Sequence, residues 1–474
     1  MKNIKFLFLL LLVFISSCTK DLTSLNNDIK NPAVVPSNTL FTNAQKNFVR
    51  TVVSTNVNLN IFRLIVQYWQ ETTYTAESRY NLNSRSIPQG LWTAMYRDVL
   101  QDLETSKTLM ATDVADPAIQ KNQLAQVDIM EVYTYYYLVT TFGNIPYTEA
   151  LDIDNVFPKF DEQKEVFTDL LTRLDNDITA LDPAAEGLGT ADVIYNGDIT
   201  SWKKFANSLK LKMGMTIADD DAAKSKSIVE SAVEGGIFTS NADNAIFQFL
   251  AAPPNTNPIW EDLVQSGRQD FVAASTLIDT ITQINDPRVP FYFTNDNAGS
   301  FSGGGPGRSS SYVTFSKPAA KIALPDFPGV LLDYSEVEFM LAEAVERGYN
   351  VGSTAADHYN KAITASIVYW GGTDTEAAQY LQQPSVAYTS SVNYKQKIGF
   401  QKWIALYNRA WDAWIEWRRL DYPQLEPAYR ATSVIPLRFT YPVNEQNYNT
   451  ENYNTAAKAI GGDVVSTKLF WDKF

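Results

Sequence analysis

The sequence is poor in the side chains that carry most protein chemistry: 474 residues include one cysteine, Cys18, and one histidine, His358. A lone cysteine has no partner for an intramolecular disulfide, and no Cys/His zinc cluster or two-histidine metal site can be assembled from this pair. Any His-dependent nucleophilic triad would rest on His358 alone. That residue lies between Asp357 and Tyr359 beside an apolar helical stripe, the setting of a packing histidine. Basic runs are also absent. Against 39 lysines and arginines stand 53 acidic residues, a formal net charge of −14, which argues against nucleic acid, whose affinity comes from cations neutralising phosphates. Asp152-Ile153-Asp154-Asn155-Val156 opens like a calcium loop but lacks a ligand at the fifth position and a glycine at the sixth. No catalytic group, cofactor or metal site is expected. What the chain does have is aromatic side chains, 25 Tyr, 25 Phe and 10 Trp, enough for a large core and for surfaces that bind amphiphilic ligands.

The N-terminus sets the expected compartment. Lys2 and Lys5 precede the apolar run Phe6–Ile15, which has signal-peptide length and is about half of the roughly 20 residues a membrane-spanning helix needs. Ile15-Ser16-Ser17-Cys18 then looks like a bacterial lipobox. Residues 1–17 are therefore expected to be a cleaved signal peptide, with Cys18 the lipid attachment site and 18–36 a polar tether. A multiply acylated cysteine anchors a protein to a bilayer without spanning it. Thr19-Lys20-Asp21 weakly resembles a surface-export signal and reads equally well as solvated tether.

Helical periodicity dominates the rest. Apolar stripes predict helices over Gly90–Met110, Gln123–Phe142, Glu162–Leu181, Ser201–Ile217, Ala222–Glu234, Phe271–Ile284, Asp333–Arg347 and Gln396–Leu420. Pro117 suits a helix start, and Gly143-Asn144-Ile145-Pro146 an end. Ala355, Tyr359 and Ala362 have the small-aromatic-small spacing of a tetratricopeptide unit. No comparable series of strands is evident. The reading is an all-α fold of tetratricopeptide-like helical repeats, one domain over 37–474 with long irregular loops.

Those loops, Trp69–Gln89, Ala252–Gly267 and Asp286–Lys321, are where function is expected. The third contains Ser302-Gly303-Gly304-Gly305-Pro306-Gly307-Arg308, which lacks the Gly-Lys-Ser/Thr ending of a phosphate loop and reads as mobile. Tyr68-Trp69, Tyr74, Arg79 and Tyr80-Asn81 cluster outside any strong helical stripe. Sugars offer a C–H face that packs on aromatic rings and hydroxyls that seek Asn, Asp or Arg, so this mixture suits a glycan. Trp260, Phe291 and Tyr292 are similar candidates. Each of these aromatics is also a reasonable core residue.

Several segments resemble one family. They are the lipobox, Phe142-Gly143-Asn144-Ile145-Pro146-Tyr147, Asp286-Pro287-Arg288-Val289-Pro290-Phe291-Tyr292, Pro328 to Phe339, Gln401 to Leu406, Glu416-Trp417-Arg418-Arg419, and the tail from Tyr441-Pro442 to Asp472. Together they look like the SusD/RagB-type nutrient-binding outer-membrane lipoproteins from end to end. In the tail, Phe470-Trp471 stands where a tandem tryptophan is commoner. The resemblance implies a non-enzymatic surface lid on a SusC-like TonB-dependent transporter in the outer membrane, capturing oligosaccharides or sometimes peptides. It places ligand contacts on the early loop, at Trp69, Tyr74, Arg79, Tyr80 and Asn81. A lipid-anchored glycosidase using a carboxylate pair, or a structural helical-repeat adaptor, remain alternatives on the residues alone.

Overall fold

The computed structural model describes residues 35–389 and 393–474. Cys18, the expected signal peptide and the expected tether up to residue 34 lie outside them. Helix α1 (Ser37–Val53) buries Phe41, Ala44, Phe48 and Val52, spaced three and four apart as one helix face requires. The expected helix over Gly90–Met110 is a continuous rod of α2 (Ile87–Met95), a π turn at Tyr96–Leu100 and α3 (Gln101–Asp113). Its buried residues Leu91, Met95, Val99 and Leu103 recur every four positions. That period exceeds 3.6, and the wider π turn keeps the stripe on one face.

Helix α4 (Pro117–Phe142) starts on Asp116, whose carboxylate accepts from Ala118 N and Ile119 N, and stops at Gly143 with φ 86°. Its C-terminal two thirds are buried all round. Helices α5 (Gln163–Ala180), α6 (Ile199–Thr216) and α7 (Ala222–Glu234) follow, each capped by the preceding acid, Glu162, Asp198 or Asp221. Phe271–Ile284 is not all helix. Four short strands occur among the described residues, β1 (Trp69–Glu71), β2 (Ala245–Phe247), β3 (Phe271–Ala273) and β4 (Gly329–Leu332). β1 pairs antiparallel with β3, Trp69 opposite Ala273, and β2 with β4. Helix α8 (Ser275–Gln283) begins only after β3.

The tetratricopeptide-like pair is α9 (Tyr334–Glu346) and α10 (Ala355–Trp370). Small residues let the two backbones close: the Ser335 hydroxyl donates to Ala362 O at 2.8 Å, while Phe339 meets Tyr359 edge-on at 6.1 Å. His358 is the expected packing residue, buried with Nδ1 at 2.6 Å from Glu338 Oε2. After α11 (Asp374–Leu381), the single helix expected over Gln396–Leu420 is two, α12 (Tyr394–Ala405) and α13 (Ala410–Leu420). The break has a cause. Arg409 leaves helical geometry, and its guanidinium reaches Glu336 at 2.7 Å and Asp412 at 2.9 Å. Helix α14 (Thr450–Ala459) precedes the tail.

Charges, as well as apolar side chains, fill the space between α6, α9, α12 and α13. Lys212 is fully buried between Glu336 and Asp412, Lys402 pairs with Glu416, and Arg419 spans Glu416 and Glu343. Burial alone would raise the Glu336 carboxyl, but Arg409, Lys212 and Lys402 outweigh it and hold it down at about 2. In the tail, Trp471 is buried and the Arg418 guanidinium lies 3.4 Å from the Trp414 ring centre and 4.6 Å from that of Trp471. The Phe-Trp variant thus keeps the ring that this cation needs.

Candidate functional site

Three stretches distant in sequence converge at the end of β1. The first is the early loop. Buried Gln70 uses both ends of its amide on the glycine-rich segment, accepting from Gly307 N at 2.8 Å and donating to Arg308 O at 2.8 Å. Thr72 O accepts from Ser310 N at 2.9 Å and from the Ser309 hydroxyl at 2.8 Å. The third stretch, Ala428–Thr432, closes over both: Tyr429 N donates to Pro306 O at 2.9 Å and Thr432 N to Arg79 O at 2.9 Å. The glycine-rich segment is therefore a pinned element rather than the free loop its composition suggests. Gly307 shows why glycine is required, since φ is +75° and a Cβ would lie 2.4 Å from Tyr429 O.

This junction displays an exposed aromatic and cationic set. Tyr74 is 81% exposed and held at φ +51°, a left-handed conformation that a bulky residue adopts only when its surroundings impose it. Tyr429 is 40% exposed, and the Arg308 guanidinium lies 3.8 Å from its ring centre. Half-buried Tyr312 has the Lys317 ammonium 5.3 Å from its ring centre. Half-buried Arg79 donates from Nε to Gly307 O at 2.8 Å, and Asn81 Oδ1 accepts from Asn83 N and Ser84 N. These last two therefore shape the loop with the atoms named. Rings beside fixed guanidinium and hydroxyl groups can take the C–H face of a saccharide and its peripheral hydroxyls together.

The other sequence candidates are placed elsewhere. Trp69, Tyr80 and Tyr292, expected on a ligand surface, are core side chains. Trp69 sits in the β1–β3 pair and donates from Nε1 to the Tyr407 hydroxyl at 2.8 Å. The Tyr80 hydroxyl is enclosed, accepting from Gln67 Nε2 at 3.3 Å and from Ala428 N at 3.2 Å. Tyr292 stacks on Tyr407 at 4.2 Å and 14° and donates to Ile404 O at 2.9 Å. Trp260 is half-buried in a short helix whose neighbour Glu261 pairs with Arg50, and it makes no hydrogen bond with the junction among the described residues. Arg308, Tyr312 and Tyr429 escaped the sequence reading. A tyrosine flanked by charge outside any helical stripe, Tyr429-Arg430, was the signal available.

Under the early loop lie two buried carboxyls. Glu71 Oε2 accepts from Ser78 N at 2.9 Å and from the Ser78 hydroxyl at 2.7 Å, while Glu77 Oε1 meets Arg85 Nε at 2.5 Å. Burial pushes Glu71 up to about 8, with the Ser78 bonds opposing and Glu77 adding to the rise. Both acids are enclosed and committed to loop atoms, so this pair cannot straddle a glycosidic bond.

Residues 27–442 match the family model described as "Starch-binding associating with outer membrane", SusD-like. Among solved structures, a chitin-binding protein is 26% identical, with 92% of this chain and 100% of that one covered and a TM-score of 0.81. A SusD homologue from Bacteroides uniformis is 25% identical, covering 92% of this chain and 99% of that one at a TM-score of 0.79. A chitin-binding SusD homologue from Flavobacterium johnsoniae shares the fold, with 23% identity, 92% and 97% coverage and a TM-score of 0.78. No curated protein matches the chain. With the model spanning most of the sequence and these structures superposing over nearly all of it, the chain belongs to the SusD-like family.

Proposed function

We propose that this protein is a saccharide-binding lipoprotein of the outer membrane, anchored through acylated Cys18, that collects an oligosaccharide and passes it to a SusC-like TonB-dependent transporter. The observation that carries the binding half is the junction itself: Tyr74, Tyr429 and Arg308 stand exposed on backbone that buried Gln70 and Gly307 hold in place. Such preorganisation lowers the ordering cost of a weak, hydroxyl-rich ligand. Two solved relatives described as chitin-binding and the starch-binding description of the family support a polysaccharide fragment as that ligand. The anchoring half rests on the lipobox Ile15-Ser16-Ser17-Cys18. The role in this reading is binding without turnover.

The test is calorimetric titration of the full chain with chitin and starch oligosaccharides, alongside the Tyr74→Ala/Tyr429→Ala double variant. Saturable binding that the double variant loses, with products unchanged by chromatography, supports the reading. Turnover abolished by one acid-to-amide change would replace it with the glycosidase alternative. Fatty-acid labelling that persists in Cys18→Ala would overturn the anchor. Failure of a transporter to copurify in mild detergent would remove the delivery step.

A further inference from the structure

A concavity lies where α3, α4 and α5 meet the loop after α4. Its volume is about 330 Å³, and its lining includes Glu104, Lys107, Glu131, Tyr147, Asp152 and Arg173. The two cations are already committed. Lys107 Nζ donates to Asp128 Oδ1 at 2.8 Å and Glu131 Oε2 at 2.7 Å. Arg173 donates to both Asp128 oxygens, to Glu131 Oε2 at 2.5 Å and to the Tyr147 hydroxyl at 2.9 Å. The Tyr147 hydroxyl in turn donates to Asp169 at 2.5 Å. Glu131, with its side chain 3% exposed, is left with Oε1 buried and lacking any hydrogen-bond partner. A buried carboxylate oxygen without a donor is costly and marks a missing partner.

The charge balance indicates what that partner is. Lys107 and Arg173 are engaged by Asp128 and Glu131, and Lys107 also lies 3.4 Å from Glu104. With Asp152 on the lining as well, the bowl offers more carboxylate acceptors than free cationic donors. Tyr147 and Leu151 supply apolar wall. A hydroxyl donor alone would answer Oε1 but leave the charge excess, whereas an ammonium answers both. The volume matches a ligand of about one sugar ring, at the lower end of the ~300–1,000 Å³ range of small-molecule sites. We propose that this bowl binds the protonated primary amine of a monosaccharide-sized ligand, an amino sugar, with the ammonium at Glu131 Oε1 and the Glu104 and Asp152 carboxylates on its rim. The site is separate in its residues from the Tyr74–Tyr429 junction.

The experiment titrates the full chain with glucosamine, glucose and N-acetylglucosamine at low salt. Glucosamine is expected to bind at least tenfold more tightly than the other two, because only it carries a charged amine. Glu104→Gln and Asp152→Asn, at accessible rim positions, are each expected to weaken glucosamine about threefold with unchanged melting temperature, and Glu131→Gln to weaken it more than tenfold. Tyr429→Ala is expected to leave it unchanged. Equal affinity for the three sugars, or glucosamine binding indifferent to both rim variants, overturns the proposal even where Glu131→Gln proves unstable. Loss of glucosamine binding in Tyr429→Ala would instead assign the amine to the junction.

Discussion

Arg308 and Tyr429 meet ring to guanidinium, 3.8 Å from charge centre to ring centre, and tie the glycine-rich segment to the chain that follows α13. At an exposed site such a contact contributes only about 0.5–1 kcal/mol. The backbone bonds at Gly307, Ser310 and Tyr429 therefore hold the junction, and the side-chain pair remains available to a ligand. Tyr429→Ala is expected to lower oligosaccharide affinity by about tenfold to a hundredfold, roughly 1.4–2.7 kcal/mol, while moving the melting temperature by no more than about 1 °C. Calorimetry and thermal melting on the same preparation check both.

Gly307 gives a prediction of the opposite kind. Alanine there would be strained at φ +75° and would push Tyr429 O away from 2.4 Å. Gly307→Ala should cost about 1–3 kcal/mol of stability and reduce ligand binding by displacing Ala428–Thr432. Gly305→Ala is the control: its φ is ordinary and the nearest atom is the movable Arg308 Cδ at 3.1 Å. Denaturant unfolding with ligand titration should separate the two variants, and equal effects would show that the close approach at Gly307 is unimportant.

What the sequence makes legible is what local periodicity encodes. α4, α5, α6, α7, α9 and α10 lie within a few residues of their stripes, because caps and apolar spacing are local facts. Long-range return is not. Trp69, Tyr80 and Tyr292 carry the same aromatic-polar mixture as a glycan site, yet their polar ends are satisfied by Tyr407, Gln67 with Ala428, and Ile404. Only the fold shows that these partners arrive. Arg308 and Tyr429 were missed for the converse reason, since neither is remarkable until Gln70 and Pro306 bring them together. Motifs that resemble the family, Glu416 to Arg419 and Asp333 to Phe339, prove largely to be the buried charge lattice. They report the scaffold and are silent about the ligand.

That lattice predicts acid sensitivity. Glu336 is held at about 2 by Arg409, Lys212 and Lys402 against the effect of burial. Its folded value lies below the ordinary one of 4.5, so its contribution is complete above about pH 4.5 and is lost as pH falls towards 2. Stability measured by urea unfolding should be level from pH 7 to 5 and decline below about pH 4. Lys212→Ala leaves Glu336 and Asp412 sharing Arg409 with one buried cation fewer, and should cost about 3–5 kcal/mol at pH 7. Lys212→Met, which fills the space, should share the charge loss and regain part of the packing. Wild-type stability of the alanine variant would mean the lattice tolerates the loss of one buried cation.

Glu71 should respond at the other end of the scale. Its carboxyl is raised by burial to about 8, beside Glu77 and against the two Ser78 bonds. The fold therefore favours the protonated acid. That stabilisation is complete below about 4.5, falls by about 1.4 kcal/mol per pH unit as the unfolded chain ionises first, and is gone once pH passes the folded value near 8. Glutamine mimics the neutral acid and cannot ionise. Glu71→Gln should match the parent within about 1 °C at pH 5 and melt several degrees higher at pH 9. Ionisation strengthens the Ser78 bonds but sets a buried charge beside Glu77 within the loop that presents Tyr74, and that repulsion and desolvation should loosen the loop. Oligosaccharide affinity of the parent should fall between pH 7 and 9, while that of Glu71→Gln holds. Parallel melting profiles for the two proteins from pH 5 to 9 would show that the buried acid is already ionised in the fold, and that the loop is secured without its proton.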